Sequence, residues 1–336
     1  MKRLNEREII DLFTSRINDP LLDKVKNDDV VILPVRYNLL KRMSKTSNMN
    51  IVLKSDMLVE STDVVKRMKP WQIARKAVLA CVSDFAAKGI RPYACLISIG
   101  IPKKYSRKNI ASLAAGFTRA SKEYDVHILG GDTNESKELI IDCNMMGITT
   151  LPDNRIPRRK GAQVGDLIVT SGTFGYTSSG LKIILSNLSA DNKFRTKCIS
   201  SVTLPKPQVE FGFKLAKYFS SSIDSSDGLS SSLYELVQKN KVDFIIDKVP
   251  ISHDLTHFAS LNSIKTDDLI FFGGEEYETI ATVPKQNFGK LIKDAKKHGI
   301  RMYHIGQVVR GNGNLIYEVK GIRKIINNRG FLHFAK

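Results

Sequence analysis

Residues 70–89 read PWQIARKAVLACVSDFAAKG and predict a long amphipathic helix, with proline at its start and glycine at its end. Ile73, Ala77 and Ala80 recur at offsets that put them on one helix face, the stripe that packs against a core. Asp84 falls on the same stripe. Because an unpaired carboxylate is costly to bury, we expect a cation or a hydrogen-bond donor to meet Asp84 inside the protein.

Short apolar runs elsewhere in the chain end in polar or glycine-rich segments, as strands do where they pass into loops. The three clearest are residues 51–53 before Lys54-Ser55-Asp56, residues 126–129 before Gly130-Gly131-Asp132-Thr133-Asn134, and residues 269–272 before Gly273-Gly274-Glu275-Glu276. Loops at strand ends are where α/β proteins usually build their sites. We therefore predict three strands that lead into functional loops.

Helices and strands alternate along the rest of the chain, which predicts an α/β protein. Further helices are predicted at residues 107–124, 207–219 and 288–298, and further strands at residues 139–149, 166–171, 243–247, 278–283, 304–309 and 315–319. Residues 151–163 contain two prolines and a basic cluster, which is typical of a linker. We therefore predict two α/β domains, residues 1–150 and 151–336.

A serine-rich stretch, residues 220–232, has the composition of a flexible linker, but apolar residues at helical spacing predict a helix that begins near Gly228. Asp224-Ser225-Ser226-Asp227-Gly228 then forms the loop before this helix, where backbone amides and the helix dipole favour phosphate. Two carboxylates and several hydroxyls are also suited to Mg²⁺ that is bound together with substrate phosphates. A simple helix cap is the alternative interpretation of this loop.

The chain has 336 residues, and 52 Lys and Arg against 34 Asp and Glu leave a formal net charge of +18. The basic residues form no long tract, which argues against nucleic acid as the main partner and favours a surface that attracts phosphorylated small molecules. No apolar run is long enough to predict a membrane span, and the N-terminus lacks the apolar stretch of a signal peptide. Four widely spaced cysteines predict free, buried thiols in a cytoplasmic protein.

The order of the acidic segments is more specific than any one of them. Asp28-Asp29 is followed by SDMLVESTDV (55–64), ACVSDFAAKGIRP (80–92), LGGDTN (129–134), DSSDG (224–228) and GGEEYE (273–278). In this order the chain resembles the thiamine-monophosphate kinases, of the superfamily that includes aminoimidazole ribonucleotide synthetase and selenophosphate synthetase. The resemblance runs from about residue 20 to the end, where GFLHF (330–334) looks like the family's terminal motif.

The resemblance implies a two-domain ATP-binding fold like that of aminoimidazole ribonucleotide synthetase. N-terminal sheets would pair across a homodimer, and the C-terminal domain would be an α/β sandwich. The implied reaction transfers the γ-phosphate of ATP to thiamine monophosphate, giving thiamine diphosphate and ADP, with the help of several Mg²⁺ ions. No residue is assigned as a catalytic base or nucleophile, because the acceptor phosphate is already ionised at neutral pH.

The resemblance also implies the residues of the site. The implied metal ligands are Asp29, Ser55, Asp56, Asp84, Asp132, Asp224 and Asp227. The implied ATP contacts are Gly131, Arg159 and Ser226, and the implied substrate contacts are Asp63, Glu275 and Phe331. Three positions depart from the family pattern. Asn27 replaces the usual Gly before Asp28, Lys54 replaces a small hydroxyl residue that can help to ligate metal, and Asp63 stands where many members have His.

Two alternatives remain open at this point. One is another ATP-using member of the superfamily, although a selenophosphate synthetase would carry a reactive cysteine in an N-terminal glycine-rich loop, and the first cysteine here is Cys81. A hydrogenase-maturation member would end in a cysteine-bearing tail, whereas this chain ends Phe334-Ala335-Lys336. The other alternative is a basic nucleic-acid-binding protein, which would show salt-dependent affinity for DNA or RNA and no ATP turnover.

Overall fold

The computed structural model describes residues 30–34 and 49–330. Its α-helices are α1 (Glu60–Asp63), α2 (Pro70–Ala87), α3 (Arg107–Tyr124), α4 (Tyr176–Ser186), α5 (Asn192–Thr203), α6 (Val209–Leu215), α7 (Leu229–Asn240), α8 (His253–Leu261), α9 (Thr266–Phe271) and α10 (Lys285–Lys297). Its strands are β1 (Val31–Pro34), β2 (Asn50–Val59), β3 (Pro92–Pro102), β4 (His127–Ser136), β5 (Ile140–Thr149), β6 (Leu167–Thr170), β7 (Ser221–Ser225), β8 (Asp243–Ile246), β9 (Glu278–Val283), β10 (Tyr303–Val309), β11 (Leu315–Val319) and β12 (Ile322–Ile325).

The first sheet has the strand order β1-β2-β5-β3-β4 and is covered on one face by α2, which also packs against α3. Alternate residues of β2, β3 and β5 point to this inner face, where Val52, Ile97 and Cys143 share a core with Phe85 of α2. The opposite, outer face exposes large apolar side chains, among them Leu53, Met57, Leu96 and Ile148. One face of this sheet is therefore packed and the other is open.

The second sheet has the order β12-β11-β8-β10-β6-β9-β7, and its strands β6 and β9 are buried on both faces. Two neighbouring residues of β6 belong to different cores. Ile168 packs with residues of α4, α5, α7, α8 and α9, and Val169 packs with residues of α6 and α10. The predicted α/β class is confirmed. Within the described residues, no helix combines the length and the hydropathy that a membrane span requires.

The three predicted strand-to-loop transitions are wrong. β2 continues through Lys54-Ser55-Asp56 and β4 through residues 130–134, because both strands pair with a neighbour along their whole length. A strand that is covered on one face alternates polar and apolar side chains, so polar residues did not mark its end. Residues 269–271 belong to α9, since a short apolar run does not distinguish a buried helix from a strand.

Most other predicted boundaries agree with the structure to within two residues. The helix predicted at 207–219 is shorter: α6 ends at Leu215 and a single 3₁₀ turn, Ala216–Tyr218, follows it. The helix predicted at 288–298 begins earlier, at Lys285, directly after Pro284 at the N-cap. The helix predicted near Gly228 is α7, which begins at Leu229.

The end of α2 packs closely against both α6 and β7, and this joins the two sheets. A Cβ atom added at Gly212 of α6 would overlap the carbonyl oxygen of Ala86. Lys88 is buried and donates from Nζ to the carbonyl oxygen of Ser222 at 2.9 Å, and Ser222 donates from Oγ to the carbonyl oxygen of Ala87 at 2.5 Å. The last turn of α2 is thereby held beside β7.

We predict that Gly212→Ala lowers the free energy of unfolding by about 2–3 kcal/mol, because the added methyl must push α6 away from α2. Gly289→Ala is the matched control. Gly289 lies in α10, and a Cβ atom there meets no atom within 4 Å, so alanine should stabilise the helix by up to about 1 kcal/mol. Denaturant unfolding of both variants tests the close packing, and equal stabilities would contradict it.

Two buried carboxylates lie close together in the chain: Glu278 is the first residue of β9, and Glu276 lies two residues before it. Within the described residues, neither side-chain oxygen of Glu276 has a hydrogen-bond partner. Burial raises the pKa of Glu276 well above its usual 4.5, and the charges of Glu275 and Glu278 add to this rise. Burial also raises the pKa of Glu278 to about 7, although Ser171 donates a hydrogen bond to its carboxylate.

Glu276 should make the protein less stable as the pH rises. Above pH 4.5 the unfolded chain loses the Glu276 proton while the folded chain retains it, so the free energy of unfolding falls until the folded pKa is passed. We predict that Glu276→Gln melts near wild type at pH 4.5 and clearly above it at pH 8. Glu210→Gln, an exposed position paired with Arg91, should show no such pH-dependent gain. Parallel melting curves from pH 4.5 to pH 8 decide between these outcomes.

Candidate functional site

The inner face of β2 carries Lys54 and Asp56, which point toward α2. The ammonium nitrogen of Lys54 lies 2.7 Å from Oδ2 of Asp84 and 3.6 Å from Oδ2 of Asp56. The side chain of Asp84 is 5% exposed and that of Lys54 is 23% exposed, so the pair is largely removed from water. Lys54 is therefore the cation that meets the buried Asp84.

The position of Asp84 explains why a cation is needed. Asp84 lies in the last turn of α2, where the helix dipole disfavours a negative charge. Burial by itself lowers the pKa of Lys54, but Asp84, Asp56 and Asp224 outweigh this effect and hold that pKa well above its usual value. Lys54 consequently stays charged throughout the neutral pH range.

Asp224 joins this group from the second sheet. It is buried on β7, and its Oδ2 accepts a hydrogen bond from Oγ of Ser83 at 2.7 Å. Ser83 precedes Asp84 on α2, so the packing of α2 against β7 brings both acids to one place. We call Asp56, Asp84 and Asp224, together with Lys54, the carboxylate cluster.

The segment that follows Asp224 lies against the GGEEYE segment. The backbone amide of Glu275 donates to the carbonyl oxygen of Ser226 at 2.6 Å, and that of Tyr277 donates to the carbonyl oxygen of Ser225 at 2.8 Å. Gly228 has a φ of 107°, and a Cβ atom there would overlap the carbonyl oxygen of Gly273. Ser226 and Asp227 remain exposed just before α7 begins. The predicted phosphate loop therefore opens beside the carboxylate cluster.

The predicted substrate residues Asp63 and Glu275 are linked through a lysine that sequence reasoning missed. Lys76 is buried on α2, forms an ion pair with the carboxylate of Glu275, and donates to the carbonyl oxygen of Asp63 at 2.8 Å. The carboxylate of Asp63 accepts a hydrogen bond from the backbone amide of Val59 at 2.7 Å. Glu275 itself is partly exposed, so its carboxylate is held in place and remains accessible.

Arg159, in the segment that precedes Gly161, contacts the second half of α7. Its guanidinium lies 3.5 Å from Glu235 of α7, and its carbonyl oxygen accepts a hydrogen bond from Asn240 at 2.9 Å. Asn240 also accepts a hydrogen bond from the amide of Gly161 at 2.7 Å. Glu235 and Asn240 of α7 thus hold the Arg159 segment in place.

Ser55 and Asp132 lie on the outer face of the first sheet, away from the carboxylate cluster. Ser55 donates to Asp142 at 2.9 Å on that face. Asp132 pairs with Ser98, which pairs with Asp142 in turn, so Asp132 points to the same face as Ser55. Two strands separate β4 from β2, which puts Asp132 about 14 Å from β2 across the sheet. Gly131, on β4 beside Asp132, is equally far from β2.

Two of the predicted site residues, Asp29 and Phe331, lie outside the described residues. Gly330, the neighbour of Phe331, packs against the backbone of Asp227. Among residues 30–34 and 49–330, no three His, Cys, Asp or Glu side chains come close enough together to hold a metal ion by themselves. The carboxylates of the carboxylate cluster are the donor type that suits Mg²⁺, which usually takes a few carboxylates and completes its shell with water and substrate phosphates.

Two residues of this site gave no clear signal in the sequence. Lys76 lies eight residues before Asp84 on α2, about two helical turns away, so the helical periodicity could have placed both on one side of the helix. Tyr277 is buried, and burial raises its pKa, with further increases from Glu275, Asp56, Asp63 and Asp224. Tyr277 also packs in the first core.

Comparisons with known proteins agree with this architecture. Family models described as AIR synthase related protein, N-terminal domain, and AIR synthase related protein, C-terminal domain, match residues 27–149 and 163–318. A solved structure described as AaThiL complexed with AMPPCP and TMP is 26% identical, has a TM-score of 0.81, and the match covers 99% of both chains. The two-domain fold that the resemblance implied is thereby confirmed.

Curated relatives resemble the chain over nearly its full length. The thiamine-monophosphate kinase of Nitrosopumilus maritimus (strain SCM1) is 38% identical over 335 residues, which cover 99% of this chain and 100% of that protein. The thiamine-monophosphate kinase of Pyrococcus horikoshii is 32% identical over 315 residues, which cover 93% of this chain and 91% of that protein. The chain therefore belongs to the thiamine-monophosphate kinase family.

Proposed function

We propose that this enzyme transfers the γ-phosphate of ATP to the phosphate of thiamine monophosphate, giving thiamine diphosphate and ADP. The observation that carries the proposal is the full-length identity of 38% to a thiamine-monophosphate kinase. The carboxylate cluster beside an open serine-rich loop supports it, because both features are suited to phosphates and their counter-ions. The relative described as a complex with AMPPCP and TMP supports the same two substrates here.

Several Mg²⁺ ions belong to this proposal. Asp56, Asp84 and Asp224 fit them in donor type, and we propose that Asp29 and Asp227 complete the set together with phosphate oxygens. Bound Mg²⁺ would neutralise phosphate charge and hold the two phosphates in line. The buried position of Asp84 and Asp224 supports a fixed site, because their carboxylates are held by neighbouring side chains before any ligand arrives.

The remaining chemistry is positioning by the chain's own groups. The amides at the start of α7 and the hydroxyl of Ser226 are suited to phosphate oxygens. Arg159, whose guanidinium lies 3.5 Å from Glu235, contributes planar donors to ATP in this proposal. The acceptor phosphate is ionised at neutral pH, so no general base is needed. Transfer is direct in this proposal, with both substrates bound together and no phosphorylated enzyme.

Glu275 and Asp63 form the substrate side of the proposal, with Phe331 stacking on the thiamine rings. The ion pair with Lys76 fixes the carboxylate of Glu275, which supports its use as a hydrogen-bond acceptor for a bound substrate. The carboxylate of Asp63 already accepts a hydrogen bond from Val59, and its carbonyl oxygen accepts one from Lys76. We therefore propose that Asp63 also helps to form the substrate side through its backbone, by holding Lys76.

We also propose a homodimer in which the outer faces of two first sheets pack together. Exposed Leu53, Met57 and Leu96 support this arrangement, since a monomer rarely leaves such an apolar face open to water. Asp132, Ser55 and Gly131 would then act from the subunit boundary. In this proposal residues 1–150 form the metal, nucleotide and dimerisation domain, and residues 151–336 form the domain with the phosphate loop and the substrate side.

A cytoplasmic location completes the proposal. The four cysteines Cys81, Cys95, Cys143 and Cys198 are free and buried, which agrees with a reducing compartment.

We predict that the purified protein converts Mg-ATP and thiamine monophosphate to thiamine diphosphate, and that Asp84→Asn and Asp227→Asn each reduce kcat at least 100-fold. A neutral amide cannot hold a divalent ion as a carboxylate does. Product formation measured by chromatography tests this. Loss of less than tenfold in both variants, about 1.4 kcal/mol of barrier, would contradict the assigned site.

Asp125→Asn is the matched control for these substitutions. Asp125 is exposed at the C-cap of α3 with a φ of 55°, a conformation that asparagine tolerates well. Its turnover should equal that of wild type. If wild type forms no thiamine diphosphate at all, the proposed reaction itself is wrong.

We predict that the double variant Leu53→Asp, Leu96→Asp is a monomer in sedimentation velocity experiments, because two buried charges on the outer face would oppose dimer formation. Leu185→Asp is the control, since Leu185 is an exposed apolar residue on α4, far along the chain from this face. It should remain dimeric. A dimer of unchanged affinity for the double variant would rule out this interface.

A further inference from the structure

We propose that the ammonium group of Lys54 takes the place of one divalent cation in the carboxylate cluster. The enzyme would then bind one Mg²⁺ ion fewer per active site than an otherwise identical chain with serine at this position. This inference rests on the proposed function, in which Mg²⁺ binds beside Asp56, Asp84 and Asp224.

The geometry of Lys54 is the first support. Its nitrogen stands between two of the acids, 2.7 Å from Asp84 and 3.6 Å from Asp56. An ammonium nitrogen that close to two carboxylates neutralises charge where a bound cation would otherwise do so. A divalent ion that bridged the same two carboxylates would have to lie close to this nitrogen, and like charges would repel each other there.

The attachment of Lys54 is the second support. The residue lies inside β2, which pairs with β5 over ten residues, so its backbone cannot move away without breaking the sheet. Its neighbour in the register is Met145, which is buried, so the stem of Lys54 leaves the sheet toward α2 and the acids. The backbone therefore anchors the stem of Lys54 on the side of the sheet where the acids lie.

The burial of Asp84 is the third support. A carboxylate that is 5% exposed in the last turn of a helix needs a positive partner whether or not metal is present. Lys54 supplies that partner without any ion from solution. A chain with a hydroxyl at position 54 would lack this positive charge beside Asp84 and Asp56.

The experiment counts bound Mn²⁺ as a substitute for Mg²⁺. Each protein is titrated with Mn²⁺ at saturating AMPPCP, and free Mn²⁺ is measured by electron paramagnetic resonance. We expect Lys54→Ser to bind one Mn²⁺ more per chain than wild type. Lys54→Arg, which keeps the charge, should bind the same number as wild type. Lys293→Ser, an exposed position on α10, controls for the loss of one positive charge from the surface.

A second readout is independent of turnover. In chelator, Lys54→Ser should melt below wild type, because Asp84 has lost its ion pair with Lys54. Mn²⁺ with AMPPCP should raise the melting temperature of this variant by more than it raises that of wild type. Since ions are counted on metal-loaded protein, the count stands even if this variant unfolds in chelator.

Equal Mn²⁺ counts for wild type and Lys54→Ser would overturn the role of Lys54 while leaving the proposed reaction intact. An extra ion in both Lys54→Ser and Lys54→Arg would also overturn it, because the charge would then not be the cause. If wild type binds no Mn²⁺ with AMPPCP, the magnesium part of the proposed function fails as well.

Discussion

The contact between the end of α2 and β7 is the constraint on which the site depends. Lys88 and Ser222 tie the helix to the strand, and Gly212 lets α6 approach from the other side. Ser83 then reaches Asp224, and the next residue on the helix is Asp84. Acids that are 140 residues apart in the chain (224 minus 84) meet because one helix end is held against one strand.

The charges of the carboxylates at this contact must be balanced by nearby positive charges. The chain as a whole is strongly basic, yet its central site collects carboxylates on buried positions. The buried acid Asp84 needs compensation, and Lys54 contributes to it, while the buried Lys76 pairs with the partly exposed Glu275. The scattered basic surface adds a long-range attraction for anionic substrates, which suits an enzyme whose two substrates both carry phosphate.

The first sheet shows how burial and exposure divide roles between alternate residues. Lys54 and Asp56 face α2, whereas Ser55 between them faces outward with Asp142. The three adjacent residues Lys54, Ser55 and Asp56 are thus divided between the packed inner face of the sheet and its apolar outer face. Sequence order presents the motif as one unit, and the period of two along a strand separates it.

The sequence by itself determined the α/β class, most helix and strand bounds, the helix after the serine-rich loop and the need of Asp84 for a partner, because these follow from local periodicity and from the cost of burying charge. The motif order also identified the family. Only the tertiary structure decided that the partner is Lys54, that Lys76 holds Glu275, and that Asp132 lies on the opposite face from Asp56. These facts depend on strand pairing and on contacts between residues far apart in the chain, and local sequence patterns predict neither.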